Sequence, residues 1–135
     1  EKIIEVRDRF GGEFFVEIGQ KWKDVVRSWN KSEREIIHLT MYGIPLPNII
    51  ENIRGSQKDK LIVIGGAKTP PFVYKIATYN VSITNQPHSE IAALAIFLDY
   101  YFQGKEFDRK FDGAKLEIIP DKKEKIVRKA ADNTE

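Results

Sequence analysis

Six polar side chains occupy seven consecutive positions between residues 84 and 90: Thr84, Asn85, Gln86, His88, Ser89 and Glu90, interrupted only by Pro87. A helix N-cap needs one or two such groups, so this density goes beyond capping. Apolar Val81 and Ile83 precede the segment and Ile91, Ala92, Ala93 and Leu94 follow it, which predicts a short strand, a polar loop and a helix start. Pro87 suits the first turn of that helix, where a missing N–H costs nothing. Strand, polar loop and helix N-terminus together form the usual place where an α/β sheet holds a small ligand. A second loop, Gly65-Gly66-Ala67-Lys68-Thr69, follows the apolar run Leu61-Ile62-Val63-Ile64, and its glycines let backbone approach a ligand closely. It matches neither the phosphate-loop spacing nor the dinucleotide fingerprint. Each loop also has a plainer reading: an elaborate N-cap for the first, an ordinary strand-to-helix turn for the second.

The two histidines separate by context. His38 lies in an apolar strand and reads as a hydrogen-bonded core residue, whereas His88 in the polar loop is open to a ligand or a capping role. Neither has a partner at metal-ligand spacing, so no metal site is expected. No Ser-His-Asp order or nucleophile elbow is present.

The elements that must position these loops follow from hydrophobic periodicity. Helices are predicted over 1–10, about 20–30 (Trp22, Val25, Val26, Trp29), 45–53, 71–77 and 88–102, and strands at 14–18, 36–40, 61–64 and 81–83. Alternation of strands with helices predicts an α/β fold with a mainly parallel sheet flanked by helices. After Gly104 the period changes to two: 115–119 and 125–128 read as a β-hairpin, followed by a polar tail from 130. One domain of 135 residues is expected, with 1–104 as the α/β core and 105–135 as a hairpin extension and tail. The helix at 88–102 is apolar nearly all round, which predicts burial on two sides, one of them against its own fold or a second subunit.

The bulk composition excludes some classes. The chain has no cysteine, ruling out disulfides and thiolate-bound metals, and no apolar run near the roughly 20 residues that span a bilayer. A cytoplasmic location suits both facts. Net charge is +2, which permits an anionic partner without requiring one. The basic residues gathered from Lys105 to Lys129 are interrupted by six acidic ones and read as a solvated face or, more sharply, as RNA contact.

Three stretches, His38-Leu39-Thr40-Met41-Tyr42-Gly43, Ile62 to Pro70, and Tyr79 to Ala95 with its Asn-Gln-Pro-His-Ser-Glu string, resemble one family in order and spacing. That family is the archaeal tRNA ribose 2′-O-methyltransferases that modify a T-loop cytidine (position 56), within the SPOUT superfamily. The second stretch reads Gly-Gly-Ala-Lys-Thr where the family carries an acidic residue before the lysine. The resemblance implies a deep C-terminal trefoil knot, a homodimer with the last long helix in its interface, tRNA as substrate and S-adenosylmethionine as methyl donor. Carried over position by position, the donor contacts are Leu39, then Gly65, Gly66, Ala67, Lys68 and Thr69, then Ile83, Thr84, Asn85, Gln86, Pro87, His88, Ser89 and Glu90.

The family opens with a strand, a helix and a second strand ahead of the helix at which this chain begins, and related enzymes place a proton-handling arginine there. The expectation is that Glu1 opens mid-protein, that this chain binds the donor, and that no catalytic residue can be named within it. Two readings of other classes stand beside the enzyme: a non-catalytic nucleotide-binding α/β module, and a dimeric RNA-binding protein.

Overall fold

The computed structural model describes residues 1–19, 21–30, 33–66 and 68–131. The chain divides into two compact units, one formed by residues 1–18 with 108–135 and the other by 19–107.

The larger unit is built on a three-stranded parallel sheet. Strand β1 (Glu35–Pro45) is central, with β2 (Lys60–Ile64) on one side and β3 (Tyr79–Ser82) on the other. Helices α2 (Trp22–Asn30), α3 (Ile50–Gly55), α4 (Pro71–Ile76) and α5 (Glu90–Phe102) supply the crossovers and layers that parallel pairing demands. Here α1 denotes Lys2–Phe10 of the smaller unit. Side chains of β1 alternate between the faces. Ile37 and Leu39 join Leu46, Ile50, Ile53, Val81, Ala93 and Phe97 in one core under α3 and α5. His38 points to the opposite face, edge-on to Tyr74 of α4 at 4.7 Å.

Register in the sheet is regular except at one place. Leu39 and Ile44 both pair with Val81, so residues 40–43 bulge away from β3. Gly43 makes the bulge possible. A Cβ there would lie 2.5 Å from the backbone carbonyl group of Asn80 and from the Val81 nitrogen.

In the smaller unit α1 ends at Gly11 and Gly12, both at positive φ (84° and 106°). The Arg9 carbonyl accepts from the Lys115 N–H and the Asp112 carbonyl from the Gly12 N–H. Strands β4 (Leu116–Ile119) and β5 (Ile126–Lys129) form the antiparallel hairpin. Its turn is closed by Asp121, whose Oδ1 accepts from the Lys123 and Glu124 N–H groups at 2.8 Å each. Those two bonds hold the Asp121 carboxyl below the usual carboxylate range.

Two elements differ from expectation. No strand forms at 14–18: the segment has no ladder partner among the described residues, Arg7 donates to the Phe14 carbonyl, and Phe15 and Ile18 are almost fully exposed. A run of strand-forming residues therefore lacked the one thing a strand requires, a neighbour. The helix expected over 45–53 splits into a 3₁₀ turn (Leu46–Asn48) and α3, because Ile49 (φ −131°, ψ −11°) breaks the helical path two residues after Pro47. Within the chain, helix α5 buries Ala93 and Phe97 fully and leaves Ile91, Ile96, Tyr100 and Phe102 exposed, so of the two coverings expected for its second side its own fold does not supply one. The tail beyond residue 131 lies outside the described residues.

Candidate donor site at the strand ends

The C-terminal ends of the parallel strands release three loops into one cavity. The end of β1 contributes His38, Leu39, Thr40, Met41 and Tyr42; the loop after β2 contributes Gly65, Gly66 and Thr69; the loop after β3 contributes Pro87, His88 and Glu90. Tyr74 of α4 completes the lining. This is where an open α/β sheet ordinarily binds small molecules.

Each loop is held by identifiable bonds. Asn85 Nδ2 donates to the carbonyls of Met41 (2.8 Å) and Gly43 (3.1 Å), so one amide ties the third loop to the bulge of β1. Ser89 caps α5, its Oγ accepting from the Ala92 N–H, which leaves His88 outside the cap and facing the cavity. In the second loop Thr69 Oγ1 donates to the Gly66 carbonyl, and a Cβ at Gly65 would meet that same Oγ1 at 2.6 Å. A Cβ at Gly66 would meet nothing within 4 Å, so this position opens on free space that a ligand can use.

Beneath the loops runs a polar network. Asn80 Nδ2 donates to the Tyr74 carbonyl (2.9 Å), which leaves Asn80 Oδ1 as the acceptor facing His38 Nδ1 at 2.9 Å. His38 therefore carries its proton on Nδ1. Burial pushes its pKa below the ordinary value, and the bond to Asn80 only partly opposes this, so the ring is neutral at pH 7. Thr40 Oγ1 lies 3.1 Å from the Tyr74 hydroxyl.

The residues singled out in the sequence thus have distinct places. Leu39, Gly65, Gly66, Thr69, Pro87, His88 and Glu90 line the cavity itself. Lys68 lines an adjoining groove, Asn85 braces two of the loops, Ser89 caps α5, and Ile83 packs against the core. Thr84 contacts the Gln86 carbonyl at 3.5 Å within its own loop, and Gln86 is exposed. Ala67 lies outside the described residues. Sequence reasoning kept His38 as a core residue, and it is buried and bonded as expected, yet it also borders the cavity. Thr40, Met41, Tyr42 and Tyr74 were not singled out. The first three stand in the His-Leu-Thr-Met-Tyr-Gly stretch, which was a usable signal; Tyr74 carried none.

Among the described residues, no group of three or more His, Cys, Asp or Glu side chains could hold a metal, and no helix is long and apolar enough to cross a membrane.

The sequence profile of the tRNA ribose 2′-O-methyltransferase family aTrm56 matches residues 10–128. The chain belongs to this family. Relatives named tRNA (cytidine(56)-2′-O)-methyltransferase bear the assignment out. That of Methanothermobacter thermautotrophicus is 46% identical over 132 residues, covering 98% of this chain and 74% of the relative. That of Staphylothermus marinus is 45% identical, covering all of this chain and 75% of the relative. That of Methanoregula boonei is 48% identical over 89% of this chain and 68% of its own length. The aTrm56 match includes β1, both glycine and polar loops, and the whole of α5, so all three cavity walls fall inside it.

Proposed function

We propose that this chain binds S-adenosylmethionine between its three loops and directs the methyl group to the ribose 2′-hydroxyl of cytidine 56 in the T-loop of tRNA. Family membership supports the reaction type, and the relatives' names supply the position. The observation that carries the reading is the convergence of residues 38–42, 65, 66 and 69, and 87, 88 and 90 on one cavity at the strand ends. The cavity suits such a donor because Gly65 and Gly66 expose backbone without side chains and the space above Gly66 is free. The proposed donor set keeps Leu39, Gly65, Gly66, Ala67, Lys68, Thr69 and residues 83–90, Asn85 and Ser89 acting through the loop shape they fix.

When bound, the donor supplies a methyl group already activated on a sulfonium sulfur. The chain's own tasks are then to exclude water, to orient the ribose and to keep its hydroxyl in line with that methyl group. Belonging to the SPOUT superfamily, the fold would thread its C-terminal segment into a trefoil knot, one of the rare exceptions to unknotted chains. The exposed apolar side chains of α5 support a homodimer built on that helix. A tRNA substrate places the work in the cytoplasm.

The test is tritium transfer from labelled S-adenosylmethionine to tRNA transcripts. Transfer is expected to a transcript with a free 2′-hydroxyl at cytidine 56 and to be absent when that ribose is 2′-deoxy. Equal labelling of both transcripts would overturn the position, and the absence of any transfer together with no thermal stabilisation by the donor would overturn the reaction.

A further inference from the structure

Beyond the donor cavity, a second groove shares the glycine loop. It is lined by Trp22, Val63, Ile64, Lys68 and Pro70, together with Gly65, Gly66 and Thr69, which also line the donor cavity. The two spaces are therefore separated by one loop. At ≈ 310 Å³ the groove lies at the small end of ligand-sized sites.

Trp22, in its wall, belongs to an aromatic pair set among cations. Trp22 stacks on Phe72 of α4 with centroids 6.1 Å apart and planes 18° from parallel, and 42% of Trp22 is still exposed. Arg27 sits over the Phe72 ring at 4.6 Å and Lys23 over Trp22 at 5.7 Å. Lys23 and Arg27 stand one turn apart on α2. Asp24 lies 4.0 Å from Arg27. A surface of this kind, with a part-exposed indole and a cation over each ring, has the chemistry that receives an unpaired nucleotide. The base stacks on the ring and the cations meet the phosphates.

Resting on the function proposed above, we infer that the Trp22–Phe72 platform holds an unpaired nucleotide of the tRNA next to the one being methylated. Charge complementarity and the loop shared with the donor cavity argue for RNA on this surface. A nucleotide in the groove leaves its neighbour in the chain within reach of the cavity beyond Gly65 and Gly66.

Steady-state methylation of tRNA transcript by wild type, Trp22→Ala, Trp22→Phe and Lys23→Ala tests this, with donor affinity measured by calorimetry and folding by circular dichroism. Trp22→Ala is expected to raise the KM for tRNA about tenfold or more, with kcat and donor affinity within about twofold of wild type. Trp22→Phe keeps a ring and recovers most of the loss. Lys23→Ala lowers the salt dependence of tRNA binding by about one unit of slope. Added tRNA quenches the indole fluorescence of wild type, and Trp22→Phe, retaining only Trp29, loses that quenching. A KM for Trp22→Ala within twofold of wild type, or quenching unchanged in Trp22→Phe, overturns the surface while leaving the methyltransferase intact. Should Trp22→Ala fail to fold, the Trp22→Phe quenching decides. A wild type that neither methylates nor binds tRNA removes both proposals.

Discussion

Asn85 does more with one side chain than any other residue of the third loop. Its amide donates to two carbonyls of the β1 bulge, those of Met41 and Gly43, and so ties the loop to the strand. Asn85→Ala is expected to weaken donor binding by about 1 kcal/mol, roughly fivefold, because the two bonds that tie the loop to β1 are lost. Asn85→Asp should be worse, since a carboxylate would face the two carbonyls. Calorimetric titration of the donor checks both, and unchanged affinity in the two variants would refute the brace. His38 gives a second outcome at this scale. Burial lowers its pKa in the folded state, so the unfolded chain binds the proton more readily. Its contribution to stability is intact above the unfolded value of about 6.5 and is lost as pH falls from there toward the folded value. The His38 ring should titrate below an ordinary histidine by NMR, with Tm declining over the same window.

At the scale of elements, the strongest periodic signals became the elements expected. Leu61 to Ile64 lies within β2, and Trp22, Val25, Val26 and Trp29 mark α2. What could not be read locally was pairing. The 40–43 bulge arises because β1 and β3 meet in two registers around Val81, a fact about two strands rather than one. Tyr74 enters the cavity only because α4 lies across the face carrying His38. The 14–18 segment, apolar but for Glu17, found no ladder among the described residues, and α1 shares its unit with a hairpin a hundred residues onward. Of the site, the two polar loops were legible from composition, since unusual polarity at strand ends has few structural uses. The bulge supplies a sharp test. Gly43→Ala puts a methyl group 2.5 Å from the Asn80 backbone, with no flexible side chain there to yield. It should destabilise the fold by about 1–3 kcal/mol and weaken donor binding as well, read by thermal melting and titration. An unperturbed Tm would mean that the strands can part at no cost.

At the scale of the whole molecule, the parallel sheet opens its loops at the strand ends, and α5 leaves a row of apolar side chains exposed, the basis of the proposed homodimer. Charge substitution on its exposed side, Ile91→Asp with Ile96→Asp, leaves the buried Ala93 and Phe97 untouched. The double variant is therefore expected to stay folded while its mass by light scattering falls from that of two chains to one. A wild type that already scatters as one chain would end the homodimer reading.

In the proposed homodimer the exposed side of α5 would also link function to abundance. If two copies shield it, the folded form is favoured by mass action, so the melting temperature should climb as the protein is concentrated. On dilution the same apolar stripe is returned to water, and specific activity should decline below a threshold set by self-association rather than by substrate.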